Sequence, residues 1–349
     1  MARMKLRNPK GKVAIAGAGA IAVVHSLAAP AADLKVTAVA SKGGSSARHL
    51  AGNIDARKVS LDALPAGAPL LIVATPPSSH EQFALQGLAA GADVLIEKPV
   101  APTLAAADRL IDAAASPDAG RMLVAENLIH SPFWSVVMER RAELGRLGHL
   151  SGRVVQTPPE WGHFLQPLTD GGVLFDLGVH PVALMLLLAD EPVVSVSAEL
   201  SSQRSDGADD WASLRIRFAS GLVAELETSW RQDPEQGEEA HWALQAASDD
   251  AVVRLEFAPE PHVEFNGDEI HVEMRHSAPD PRLESLGYVD QLIDFADRSS
   301  SRGQTLTQAR DVLEVICAAY ASAGNGGAEV TLPFDGDLSA TPMQLWRGV

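Results

Sequence analysis

Five short apolar runs punctuate the first third of the chain, at Val13–Gly17, Lys35–Ala40, Leu70–Ala74, Val94–Glu97 and Met122–Glu126. A continuous run of this length is the mark of a strand buried on both faces. Between most of the runs the apolar spacing turns helical. "SSHEQFALQGLAAGA" has Ser78 or Ser79 in place as an N-cap and Gly91 as a stop, and "TLAAADRLIDAAA" follows Thr103 as a cap behind Pro102. Strands alternating with helices predict a parallel, doubly wound sheet, so residues 1–126 read as a nucleotide-binding domain.

After about residue 148 the period shortens to two. In "WASLRIRFASGLVAELETSW" the residues Leu214, Ile216 and Phe218 alternate with polar ones, and Ser220-Gly221 interrupts them as an antiparallel hairpin turn would. "HWALQAA", "AVVRLEF" and "EIHVEMRH" continue the pattern, and helical spacing returns at Leu286–Arg298 and Leu306–Ala323. Residues 127–349 are therefore expected to form an α+β domain with an open, mostly antiparallel sheet and helices on one face. Its C-terminal segment is expected to return to the first domain. The other sheet face needs cover, and a homodimer or homotetramer formed through that sheet is the expectation.

Charge narrows the partners. A net charge of −17 is the wrong sign for a nucleic-acid surface, and no run reaches the ~20 apolar residues of a membrane span. Cys317 is the sole cysteine, which excludes an intramolecular disulfide and a CxxC metal site and suits a reducing cytoplasm. Arg3, Lys5, Arg7, Lys10 and Lys12 before "VAIAGAGAIAVV" resemble the start of a signal peptide. Gly17 and Gly19, however, break the apolar stretch where a strand–turn–helix would break it, and the strand reading is preferred.

That turn is the first candidate for chemistry. Gly17-x-Gly19-x-x-Ala22, with Ala20 and Ile21 between, stands where a strand passes into a helix. Gly17 permits the turn, Gly19 lets a pyrophosphate approach the backbone, and small Ala22 allows close packing of helix on strand. The helix N-terminus then offers its N–H groups to phosphate. At the end of the second run, where an acid would bind the ribose of NAD(H), the chain reads Ala40-Ser41-Lys42. A hydroxyl and a cation suit a 2′-phosphate, so NADP(H) is favoured over NAD(H).

Three more stretches carry reactive groups. "VLIEKPV" places Glu97, Lys98 and Pro99 at the exit of a buried strand, and alternation sends Glu97 to the opposite side from Lys98. "GGVLFDLGVH" sets Asp176 and His180 four apart, one face of a helix if the helix is continuous. Pro181 makes a helix starting near that proline the competing arrangement. His180 has the chemistry of a proton exchanger near neutral pH. A core role for His180, a capping role for Asp176, and a zinc site through Asp176, His180 and His163 are the alternatives. In "PPEWGHF", Trp161 presents a flat face of the kind sugars stack on and His163 a polar edge, with a solvent-shielding tryptophan as the other reading.

Taken together, the glycine turn, "ATPPSSH" (Ala74–His80), Glu97-Lys98-Pro99 and "GGVLFDLGVH" resemble the Gfo/Idh/MocA oxidoreductase family in order and spacing, over nearly the whole chain. The resemblance implies a Rossmann domain joined to an α+β domain, with nicotinamide and substrate carbinol near Lys98. It implies cofactor contacts from Ala74, Thr75, Pro76, His80, Glu97 and Asn127, and His180 as acid/base with Asp176 beside it in the substrate pocket. It also implies hydride transfer at a carbinol or carbonyl carbon of a sugar, cyclitol or related polyol. Two other outcomes occur on the same fold, a redox-mediated glycoside hydrolase and a non-catalytic dinucleotide-binding regulator.

Overall fold

Strands form where the apolar runs fall. The computed structural model describes residues 11–159, 171–203 and 207–349. The chain folds as two compact units: the residues up to Glu97 with Arg109–Ser131 and Met274–Leu306, and Lys98–Asp108 with Pro132–Glu273 and Thr307–Val349. The division does not follow a single cut at residue 126. Residues 274–306, grouped by sequence order with the second domain, belong to the first unit, and Lys98–Asp108 belong to the second.

The first unit contains β1 (Gly11–Ala16), β2 (Leu34–Ala40), β3 (Arg57–Lys58), β4 (Leu70–Val73), β5 (Asp93–Glu97) and β6 (Met122–Ala125). All pair in parallel, in the order β3-β2-β1-β4-β5-β6. Every residue of β4 and β5 is buried, as strands covered on both faces must be. The order reverses between β1 and β4, the place where such sheets open a crevice at their carboxyl ends. Val13, Ile15, Ile72 and Leu95 form the core with Ala22, Ala28 and Leu50 from the flanking helices. Leu283, Val289, Leu292 and Phe295 complete it, which is why residues 274–306 stay with this unit.

The expected helices are present. His80–Ala89 follows a single tight turn at Pro77–Ser79 and stops before Gly91, whose φ is +73°. Ser79 occupies the cap position, but its hydroxyl donates to the Pro76 carbonyl instead of accepting from the helix. Thr103 does cap its helix, Leu104–Ala114: its hydroxyl accepts from the Ala106 N–H at 3.2 Å.

The second unit contains β7 (His149–Val155), β8 (Val193–Ser201), β9 (Trp211–Phe218), β10 (Val223–Ser229), β11 (His241–Ala247), β12 (Val252–Ala258), β13 (His262–Phe265), β14 (Asp268–Glu269) and β15 (Val330–Thr331). They form one mixed sheet, β14-β13-β12-β11-β7-β10-β9-β8-β15. Among the pairings of the described residues only β7–β10 is parallel. β9 and β10 are the predicted hairpin, closed by the Phe218 N–H to the Leu222 carbonyl. One expectation fails: "EIHVEMRH" is a strand only through Glu269, and residues 271–276 lie outside regular structure. Of its central residues, His271 and Glu273 are exposed, so alternation there has no sheet face to serve.

Alternation elsewhere sorts the two faces. Leu150, Val154, Leu214, Ile216, Leu226 and Leu244 are buried. The helix Val179–Ala189 lies on that side, because a Cβ at Gly152 would stand 2.8 Å from Met185 Cε and 3.6 Å from Pro181 Cβ. The opposite face is a ladder of charges, with Arg215 to Glu225 at 2.7 Å and Arg153 to Glu227 at 2.9 Å across neighbouring strands. Cys317 is buried, and burial pushes its thiol up to about 12, which leaves it a poor nucleophile. Among the described residues no helix is long and apolar enough to cross a membrane.

Candidate active site

The first unit brings a glycine turn to the carboxyl ends of β1 and β4. Gly17 has φ +122°, and a Cβ there would stand 2.0 Å from the Ala74 carbonyl oxygen, so β1 and β4 can approach at their carboxyl ends only through glycine. The Gly17 N–H donates to the Ala40 carbonyl at 2.7 Å, and the Ala74 N–H donates to the Ala16 carbonyl at 2.7 Å. Gly19 is the N-cap of the helix Ala20–Ala28 and supplies no side-chain cap, and space is open where its Cβ would be. The helix's first N–H groups are therefore left without a side-chain acceptor, as a helix N-terminus that binds phosphate requires. Thr75, next to this turn, has its hydroxyl buried without a hydrogen-bond partner among the described residues, a vacancy in bonding that a polar ligand would satisfy. The donor set and the open cradle fit a dinucleotide.

Three side-chain contacts tie neighbouring segments of the first unit together. His80 Nε2 donates to the Thr75 carbonyl at 2.8 Å, tying the β4 exit to the following helix. His25, on the glycine-turn helix, places Nε2 2.6 Å from Glu97 Oε1 at the last residue of β5. Asn127 donates from Nδ2 to the Leu286 carbonyl at 2.8 Å, and Gly287 passes so close that a Cβ there would stand 2.2 Å from the Asn127 oxygen.

The second unit begins with Lys98, the residue directly after β5. Its Nζ donates to Asp176 twice, to Oδ1 at 2.9 Å and to the backbone carbonyl at 2.9 Å. Asp176 is buried and ends a short helix, Val173–Asp176; His180 lies in the first turn of the next helix, Val179–Ala189. Pro181 explains the break. Lacking an N–H, it cannot bond the Leu177 carbonyl, and that oxygen accepts from the His180 N–H instead at 3.3 Å. A helix starting near Pro181 is thus the arrangement found. His180 is buried with its ring centroid 5.7 Å from that of Trp242 on β11. A short cationic donor anchored on a carboxylate, with an imidazole nearby in sequence and backed by an indole, can polarise an oxygen and exchange its proton.

Residues 11–124 match the family model described as "Oxidoreductase family, NAD-binding Rossmann fold", and residues 138–258 match the "GFO/IDH/MocA C-terminal domain". Together the two span about two-thirds of the chain. The chain belongs to the Gfo/Idh/MocA family.

Relatives within reach of this Gfo/Idh/MocA chain include 1,5-anhydro-D-fructose reductase from Ensifer adhaerens, 30% identical over 179 residues, which are 48% of this chain and 53% of that one. The chain thus spans about half the length of that relative. D-glucoside 3-dehydrogenase from Escherichia coli K12 is 28% identical over 345 residues, covering 90% of this chain and 96% of that one. The crystal structure of GenD2 from gentamicin A biosynthesis, in complex with NAD, shares the fold with a TM-score of 0.80 at 22% identity, over 95% of this chain and 99% of that one.

Within the Gfo/Idh/MocA fold, the site residues read from sequence separate into groups. Gly17, Gly19, Ala20, Ile21, Ala22, Ala74, Thr75, Pro76 and His80 follow β1 and β4 at the switch point. Ser41 and exposed Lys42 follow β2, with Ser41 Oγ 3.1 Å from Ser46 Oγ. Glu97 and Lys98 bond different partners, His25 and Asp176, as strand alternation requires. Of the two arrangements the sequence allows, the broken one is found: Asp176 faces Lys98, and no continuous helix carries it on a shared face with His180. Trp161 and His163 lie outside the described residues, and the zinc reading through His163 goes with them. Among the described residues no three metal-ligating side chains converge. His25 and Trp242 were missed. The spacing of His25 after the glycine turn carries no signal by itself, whereas the alternation of Trp242 with Leu244 and Ala246 places it on the helix-covered face.

Proposed function

We propose that this chain is an NADP(H)-preferring oxidoreductase acting at a carbinol or carbonyl carbon of a sugar or related polyol. The observation that carries the reading is Lys98, an ammonium held by two oxygens of buried Asp176 directly after β5. The names of the relatives, a ketosugar reductase and a glucoside dehydrogenase, support the substrate class. They lend no support to a hydrolase or a regulator. When bound, the nicotinamide supplies or accepts the hydride.

The chain's own residues handle the oxygen and its proton. Lys98 donates to the substrate oxygen and stabilises charge as it develops there. Asp176 keeps that ammonium aimed. His180 takes the hydroxyl proton in oxidation and returns it in reduction. Trp242 limits the rotation of the imidazole. On the dinucleotide side, Ser41 and Lys42 recognise the 2′-phosphate, with Ser46 beside them. The charged face of the nine-stranded sheet is the surface through which copies of the chain would associate as a dimer or tetramer.

Titrating NADPH and NADH by nicotinamide fluorescence tests the cofactor preference, and equal or reversed affinities overturn it. Lys42→Asp should move the preference toward NAD(H), because a carboxylate repels the 2′-phosphate and accepts from a ribose hydroxyl. A panel of ketosugars, glucosides and inositols, assayed with both dinucleotides, tests the substrate class.

A further inference from the structure

Asp209 and Tyr320 are fully buried in the second unit, and no part of the chemistry above uses them. Burial pushes the Asp209 carboxyl up to about 6, against bonds from Leu174 and Tyr320 that pull it back. A buried carboxylate in that state has to be held by donors, and the donors here all lead to one place. Asp209 Oδ2 accepts from the Leu174 N–H at 2.9 Å, and its backbone carbonyl accepts from the Val173 N–H at 2.9 Å. Asp209 Oδ1 accepts from the Tyr320 hydroxyl at 2.6 Å, and that hydroxyl accepts in turn from the Gly172 N–H at 3.3 Å.

Gly172, Val173 and Leu174 are the N-cap and first two residues of the helix that ends at Asp176. A helix of one turn leaves its first N–H groups without intrahelical partners, and in the core those groups need acceptors. Gly172 supplies no side-chain cap. Asp209, 35 residues from Leu174, does that work from another strand connection. The second glycine of the sequence motif follows from the same contact, and the first from its own backbone angle. A Cβ at Gly172 would stand 2.1 Å from Asp209 Oδ1, and Gly171 has φ +87°.

We infer that Asp209 and Tyr320 are positioning residues: by clamping the first turn of this helix they place both Asp176 oxygens that hold the Lys98 ammonium. The link is short. Asp176 lies two residues after Leu174, and one of the two bonds that Lys98 donates to it is accepted by its backbone carbonyl, which moves with the helix and cannot be restored by rotating a side chain. The importance of that placement for turnover rests on the role of Lys98 proposed above; the placement itself does not.

Lysine side-chain NMR reads the inference directly and needs no substrate. The chain has seven lysines, and Lys98 is the only one beyond residue 58, so its Cε signal can be assigned by its disappearance in Lys98→Arg. Isotopically labelled lysine would be compared in wild type, Tyr320→Phe and Asp209→Asn, with cooperative thermal unfolding as the check on folding. An amide oxygen can replace only one of the two acceptors of Asp209, and Tyr320→Phe keeps the carboxylate while removing the hydroxyl that links it to Gly172. The expected result is that the Lys98 signal moves toward the position of the exposed lysines in both variants, while the other signals stay. Should Asp209→Asn fail to fold, Tyr320→Phe decides alone. An unmoved Lys98 signal in a folded variant overturns the inference. Full turnover by Lys98→Ala would instead overturn the catalytic reading and leave the NMR result standing.

Discussion

At the scale of single residues, the proposed chemistry divides between a donor, Lys98, and a proton exchanger, His180. Lys98→Ala should lower turnover by about two to three orders of magnitude, the usual loss for one donor to a developing oxyanion. His180→Ala should cost roughly 10² to 10⁴. If both act on one oxygen, as proposed, the double variant should lose less than the product of the two, with dinucleotide affinity unchanged throughout. Near-full activity in His180→Ala would return that residue to the core. Asp209 yields a stability prediction as well. Its folded value of about 6, against an ordinary 3.8, means the folded state keeps a proton that the unfolded chain has released in that range. That contribution is full below about pH 4 and is lost as pH rises through about 6, a difference on the order of 3 kcal/mol. Urea unfolding of wild type and Asp209→Asn should therefore show the variant gaining on wild type between about pH 4 and about pH 7. A constant gap would count against the burial effect.

Elements set where these residues stand. The glycine turn brings β1 and β4 together, and its helix begins at Gly19 without a side-chain cap. The helix Leu104–Ala114 shows the opposite arrangement, a side-chain cap from Thr103 that completes the first turn internally. Thr103→Ala should cost about 1 kcal/mol, measured by urea unfolding, with no change in dinucleotide affinity. Loss of affinity without loss of stability would show that the cap serves binding. Pro181 performs a third task. It breaks a run that periodicity alone would have continued, and so separates the backbone of Asp176 from that of His180. The motif was legible; the local geometry depended on which carbonyl the missing N–H left free.

For the whole molecule, the charged face of the second unit's sheet carries the expectation of assembly. Its cross-strand Arg–Glu pairs are exposed, and such pairs contribute little each while they face water. Light scattering should show a dimer or tetramer at micromolar concentration, weakening as salt screens the ladder. A monomer at low salt would mean that the face is polar enough to remain solvated.

The sequence by itself determined the parallel character of the first sheet, the mostly antiparallel character of the second, the glycine turn, and Lys98, Asp176 and His180 as the residues of interest. These are local signals: strand and helix periods repeat within a few residues, and the glycines act through their own backbone angles. Tertiary structure decided who partners whom. Glu97 meets His25 across 72 positions, Lys98 meets Asp176 across 78, and Tyr320 meets Asp209 across 111. It also decided that residues 274–306 complete the first unit's core while Lys98–Asp108 join the second. A hydrogen bond between distant positions leaves no periodicity behind, because either residue alone is an ordinary polar side chain until folding buries it and obliges it to find a partner.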